Sequence, residues 1–500
     1  MGLREVLGLE LAKKNPECRA VLFDAAARAQ LFISILSLGT ALLQYANIEA
    51  GCTAVKGSEI AWNETEGRLQ TDEEADAVDK DCEGKVFGGL SPSSTLTTMS
   101  SIANVIIALT LPTCGAIIDY SSLRKKVVLY SFYGLWVGNF IQIFTSESTW
   151  MISVVVQAAL CSVCYMFHQA SILSYLSEVV DDEEGLKHIN ASLRVWELGF
   201  MLAFTILAFI LSKIMGFGVL SQATLAQALA CLGSIPFFWI VIKDLGEREA
   251  KQECPKEQSL FIAGFTKILK TYRYLSADFP ECRKMLIAAM FFESGNANIV
   301  NASIVLITNV LEVENPTMIL LLIMVVTVPG AAMAPTAQKL LGLKFSMILV
   351  LSINILASLL IIFWINSPKS AKYVFVLGLL YGIGIGSSYP IQRTLFLALA
   401  PYGQEAEMFG IWQCCCIILQ WAPGLIFTYI NEMTGSIISA ICVIPAFHAM
   451  GLLIILSIDL DKGAKEHEAT KHLKHKVGGT GGSTAKVGVE GGGERRERNK

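Results

Sequence analysis

Uninterrupted apolar stretches of about 20 residues recur from one end of this chain to the other. A helix rising ~1.5 Å per residue needs about that length to cross a hydrocarbon core of ~30 Å. A soluble chain of 500 residues would divide into several domains and carry charge on about a quarter of its positions. Here 16% of residues are charged and 53% are apolar. The pattern predicts an all-α polytopic membrane protein.

Hydropathy places twelve spans in two sets of six. The first set falls near 29–48, 96–118, 127–145, 150–176, 195–212 and 219–242, and the second near 285–310, 317–338, 345–365, 373–392, 407–429 and 433–458. The chain thus divides into an N-terminal segment (1–28), a six-helix bundle (29–242) with a long first loop (49–95), a linker (243–284), a second bundle (285–458) and a hydrophilic tail (459–500). Of the 39 Lys and Arg residues, 32 fall on segments sharing the side of the N-terminus and 7 on the opposite side. Basic residues accumulate on cytosolic loops, so both termini and the linker are expected in the cytosol.

The first loop is the long loop on the far side, and it is acidic. It carries an N-glycosylation sequon at Asn63 and two cysteines, Cys52 and Cys82, for which a disulfide is open in an oxidising compartment. In the linker, residues 259–275 read as an amphipathic helix with basic residues on one side, suited to the cytosolic leaflet. The Gly-rich, charged tail is expected to be disordered.

Several function classes drop out. A net charge of −4 gives no electrostatic case for nucleic acid. The chain has no phosphate-binding loop of the Gly-x-x-x-x-Gly-Lys-Ser/Thr type, which argues against an ATP-driven pump, and no legible catalytic triad, so it is read as a non-enzyme. Cys161-x-x-Cys164 and Cys414-Cys415-Cys416 lie in apolar helices without clustered acid or histidine partners, so no metal or other cofactor is expected.

Between spans 2 and 3 stands Gly115-Ala-Ile-Ile-Asp119-Tyr-Ser-Ser-Leu-Arg124-Lys125-Lys126. This resembles the signature loop of the major facilitator superfamily. The resemblance implies two six-helix bundles rocking about a midplane site, with Gly115, Asp119, Arg124 and Lys125 in a conformational lock and Gly115 allowing close helix approach. Within that superfamily, Gly382-Ile-Gly384-Ile-Gly386-Ser387, Gln392-Arg393, Pro401-Tyr-Gly403-Gln-Glu405-Ala-Glu407-Met-Phe409-Gly410 and Trp421-Ala-Pro423-Gly424 resemble the autophagy-related protein 22-like vacuolar effluxers. Phe23-Asp24, the segment 170–178 and Phe291-Phe-Glu293-Ser-Gly295-Asn296 agree more loosely. Ala27, the offset of Glu293 from Gly295 and the missing proline near Glu178 depart from that pattern.

Charges inside the bilayer are costly, which marks them as functional candidates. Arg393 suits a substrate carboxylate or a gate ion pair, and snorkelling is the plain alternative. Glu293, clustered with Asn296, suits proton coupling or an amine, and an interhelical clasp is the alternative. Gln392 belongs to the same candidate set. Arg194 and Glu197 are spaced for an i, i+3 pair near the cytosolic face. His168 reads as a satisfied packing histidine or a proton relay.

The resemblance implies a secondary transporter exporting amino acids from a vacuole or lysosome after autophagic breakdown, with possible proton coupling and with the lipid bilayer as its surroundings. A carrier of another small solute and a non-transporting sensor or tether are the alternatives.

Overall fold

The computed structural model describes residues 9–51, 62–63, 68–69, 84–86, 88–179, 183–250, 258–311, 313, 316–365, 367–401 and 405–468. Among them, ten helices are individually long and apolar enough to cross a membrane. Two more polar helices, Arg124–Gln142 and Pro280–Asn309, take the third and seventh places.

The first six spans are Pro16–Glu49, Pro92–Tyr120, Arg124–Gln142, Trp150–Leu173, Glu183–Ile214 and Val219–Asp244. Spans 7 to 10 are Pro280–Asn309, Pro316–Leu341, Leu343–Trp364 and Ala371–Leu399. Span 11 joins Glu405–Ile418 to Trp421–Thr434, and span 12 joins Ile437–Ile441 to Val443–Leu456.

Span 1 starts well before the expected position 29. Asn15 caps it by accepting the Glu17 N–H at 2.9 Å, and Pro16 occupies the first turn, where no N–H partner is needed. Asp24 and Arg28, expected in a cytosolic segment, therefore lie inside the helix and are buried. Hydropathy misplaces them because it counts a charge as exposed whether or not a partner meets it. Span 5 extends the same way, back to Glu183.

Within the first bundle, span 1 packs on spans 5 and 6. In the second, span 8 packs on span 10, and span 7 on span 12. Each bundle has its own apolar core, Leu22, Leu31, Phe132 and Phe238 in the first and Met285, Phe292, Leu351 and Phe396 in the second. Span 10 approaches span 8 so closely that a Cβ on Gly386 would lie 2.1 Å from the Thr327 carbonyl oxygen. The fourth span contains a π-helical turn, Val156–Cys161. Cys161 and Cys164 sit directly over Gly138 and Gly134 of span 3, where they fill the groove as small apolar groups.

The linker helix forms over Leu260–Asp278, started by Ser259. One side exposes Phe261, Ile262, Phe265, Leu269 and Tyr272, as amphipathic patterning requires. The other side docks on span 2, with Gly264 against the backbone at Pro112 and Thr113. Leaflet contact alone therefore does not describe its setting.

The tail also departs from expectation. Residues 460–468 are helical and dock on the second bundle. Glu281 accepts the Asp459 N–H at 2.9 Å and pairs with Lys284 at 3.0 Å, while His467 Nδ1 meets the Ala400 carbonyl at 2.6 Å. Since a carbonyl only accepts, His467 donates. The disorder expected from 469 onward lies outside the described residues.

In the first loop, Trp62–Asn63 and Arg68–Leu69 pair antiparallel, so the Asn63 backbone lies in a two-residue strand. Cys52 and Cys82 lie outside the described residues.

Candidate functional site: a buried charge network where the bundles meet

Span 1 supplies two charges one helical turn apart, Asp24 and Arg28. Arg28 Nη1 donates to Glu197 Oε1 of span 5 at 2.8 Å and to the Tyr165 hydroxyl of span 4 at 3.3 Å. Glu197 also takes Arg194 at 2.5 Å, through its other oxygen. The predicted Arg194–Glu197 pair thus exists, but as two-thirds of a guanidinium–carboxylate–guanidinium bridge. Asp24 balances the surplus cation from 3.6 Å, measured to Arg28 Nε.

His168, read from the sequence as a packing histidine or a proton relay, has a partner at both nitrogens. Nε2 lies 2.6 Å from Asp24 Oδ1, and Nδ1 lies 2.9 Å from the Val128 carbonyl.

In the second bundle, Glu293 Oε1 accepts from Gln392 Nε2 at 2.8 Å and from Asn296 Nδ2 at 3.2 Å. Asn296 Oδ1 lies 3.0 Å from His448 Nε2, which must donate because an amide oxygen only accepts. Gly295 makes room for that imidazole, since a Cβ there would sit 3.0 Å from its Cε1. Glu293, Asn296 and Gln392 are therefore one cluster, which His448 extends.

The two networks meet at Tyr389 of span 10. The Arg194 guanidinium of the first bundle lies 4.6 Å from the centre of its ring, a cation–π contact across the interface. Arg393, one turn further along, is half-exposed and lies in the field of Arg194, Glu197 and Tyr389. It makes no hydrogen bond or ion pair to a described residue. The sequence pointed to Arg393, Glu293, Asn296, Gln392, His168, Arg194 and Glu197. Asp24, Arg28, Tyr165, Tyr389 and His448 complete the assembly. The loose family resemblance at Phe23-Asp24 was the available signal for the first of these.

At the end bearing the linker, the signature loop is occupied by unexpected partners. Asp119 Oδ2 is paired with Lys267 of the linker helix at 2.8 Å. Arg124 is buried and bonds Glu178 at 2.6 Å, while Arg248 joins Glu178 at 3.0 Å to Glu17 at 2.5 Å. Tyr175 lies between the two guanidinium groups, 5.5 Å from each, and donates to the Gly246 carbonyl. Burial pushes its phenol up to about 12 despite those cations, so it stays a neutral donor.

Lys125 is half-exposed on the first turn of span 3. Gly115 does not serve helix approach, because a Cβ there would meet nothing within 4 Å. Gly264 makes that approach instead, since its Cβ would fall 2.2 Å from the Pro112 carbonyl oxygen.

At the opposite end, spans 2 and 11 are joined by small polar groups. The Thr428 hydroxyl lies 2.9 Å from Thr97 and 3.0 Å from Thr98, and Asn431 donates to Ser91, Ser93 and Ser94. Glu432 accepts from the Ser91 N–H at 2.8 Å and from Lys85 at 2.6 Å. This end of the interface is therefore bridged by side chains that separate without breaking either bundle, whereas the pairs at the linker end lie within the first bundle or tie the linker helix to it.

Two six-helix bundles enclosing a charged seam, with the signature loop at one end, define a multi-pass membrane protein of the major facilitator type. The chain belongs to the family described as Vacuole effluxer Atg22 like, which it matches over residues 38–468, and it is a transporter.

Solved structures share the fold. The peptide transporter POT in complex with sulfate superposes with a TM-score of 0.58 at 12% identity, covering 91% of this chain and 95% of that one. The nucleoside transporter NupG gives 0.53 at 14%, covering 89% and 98%. A bacterial homologue of the iron transporter ferroportin in the outward-facing state gives 0.50 at 14%, covering 86% and 98%. No curated protein matches the chain.

Proposed function

We propose that this transporter moves amino acids from the vacuolar or lysosomal lumen to the cytosol by alternating access, with both termini and the linker in the cytosol. The observation that carries the reading is that Glu293 lies in the field of Arg393 and of Arg194, the latter reaching span 10 from the first bundle. An amino acid presents a carboxylate and an ammonium a few ångströms apart. The carboxylate suits the Arg393 fork, assisted by Arg194, and the ammonium suits Glu293.

Tyr389 of span 10 carries the Arg194 guanidinium on its ring, so a zwitterion bound beside it would bridge the two bundles and favour their closure around it. The Thr97–Thr428 contact between the bundles and the Asp119–Lys267 pair that holds the linker helix on span 2 are both formed in this structure, and each is a contact that opening at its own end would break. The family and the fold support transport itself; the amino acid rests on the charge arrangement.

The test uses vesicles loaded with a labelled amino-acid mixture, compared with and without the protein. Faster efflux of particular amino acids is expected. A charged hydrogen bond contributes about 1.5–3 kcal/mol, so Arg393→Ala should weaken apparent affinity roughly 10- to 100-fold and Arg393→Lys less. Efflux of other solutes only, with the protein confirmed in the membrane, overturns the assignment.

A further inference from the structure

His168 lies between two acceptors. The Val128 carbonyl, 2.9 Å from Nδ1, can only accept, so Nδ1 carries hydrogen. At Nε2 a carboxylate oxygen of Asp24 stands 2.6 Å away. Two lone pairs at that separation repel, so one proton lies between them, either on the ring or on the carboxyl. The pair is neutral in sum in both cases. We propose that Asp24 and His168 form a single proton-binding site in the first bundle, and that this site carries the proton that drives transport. The proposal rests on the chain being a transporter and does not depend on its solute.

The surroundings give the proton a way to act. Phe132 of span 3 and Phe238 of span 6 close over the imidazole, with ring centres 5.6 and 6.2 Å from it, and Ser131 lies 3.4 Å from Nδ1. The charged group beside Asp24 is Arg28, which bonds Glu197 at 2.8 Å and stands off Asp24 at 3.6 Å. Asp24 Oδ2 and Arg28 Nε are both buried, and neither has a hydrogen-bond partner. Each is the partner the other lacks.

While the proton is present, the Asp24–His168 pair is neutral and Arg28 stays on Glu197. When the proton leaves, a bare carboxylate remains and draws Arg28 across the remaining gap. Glu197 then keeps only Arg194, the residue that stacks on Tyr389 of the other bundle. Loss of one proton in the first bundle is thereby transmitted to the interface. Glu293 plays no part in this sequence and remains free to meet the solute.

A shared proton makes a specific prediction, which full-length protein in proteoliposomes can test. Infrared difference spectra between an acidic and an alkaline condition should contain one buried carboxyl–imidazole signal. Asp24→Asn and His168→Gln should each abolish that same signal, because the proton belongs to the pair.

In parallel, efflux of the labelled amino-acid mixture should rise severalfold with lumenal acidification in the native protein and lose that dependence in both variants. Two signals titrating separately, or pH dependence persisting in both variants, overturns the proposal. If the native protein moves none of the amino acids, the solute assignment fails while the infrared arm still decides the proton site. If one variant fails to fold, the other decides it alone.

Discussion

Glu197 sits between two guanidinium groups from different spans, so removing its charge would leave the buried Arg28 and the part-buried Arg194 facing each other. Breaking a buried ion pair from one side costs about 3–5 kcal/mol. Glu197→Gln should therefore lower the thermal unfolding midpoint in detergent markedly, and Glu197→Asp should lower it less. An unchanged midpoint would show that water already screens the bridge. Half of this bridge is legible in the sequence, because Arg194 and Glu197 are three residues apart on one helix. Arg28 lies 169 residues from Glu197, and Asp24 lies 144 from His168. No local pattern connects such pairs, and the hydropathy that found the spans also pushed Asp24 and Arg28 outside them. Glu293 and Asn296 were legible together for the same reason as Arg194 and Glu197, while His448 lies 152 residues from Asn296, beyond any local pattern.

At the level of elements, the linker helix shows what amphipathic patterning reveals and omits. Large apolar side chains at Phe261, Phe265 and Leu269 announce a helix with one greasy face. The docking face is built from Ala263 and Gly264, which carry little hydropathy and so give no signal, although they decide where the helix sits. Gly264→Leu would drive a side chain into the Pro112 carbonyl. The expected result is a detached helix, read as faster trypsin cleavage at Lys267 or Lys270 in the full-length protein. Lys267→Ala should have a smaller effect, because the Asp119 pair is partly exposed and such pairs contribute about 0–1 kcal/mol. If Gly264→Leu is cleaved no faster than the native chain, the glycine contact does not hold the helix. The signature loop carries the same lesson. Asp119 and Arg124 stand out in the sequence, but their partners Lys267 and Glu178 come from the linker and from the segment between spans 4 and 5. Gly115 was credited with a contact that Gly264 makes.

For the molecule as a whole, the twelve spans were legible because hydrophobic length is a local property. The way the bundles meet was not. Ser91, Ser94, Thr97 and Thr98 look like ordinary small residues at a helix start until Thr428 and Asn431 are placed opposite them. A double variant, Thr97→Cys with Thr428→Cys, replaces two hydroxyls 2.9 Å apart and should form a disulfide across the interface under mild oxidation. Transport should then stop and recover on reduction. Transport that continues with the cross-link formed would mean that this end of the interface never opens.

The composition of that seam has an electrical consequence. Among the described residues it is made of hydroxyls, amides and one oppositely charged pair, Lys85 with Glu432. Parting such groups moves no net charge along the membrane normal. A membrane potential does work of about 2.3 kcal/mol per elementary charge per 100 mV, so it has almost nothing to act on here. Opening at this end should be electrically silent, and any current that accompanies turnover should originate at the buried arginines and acids where the bundles meet.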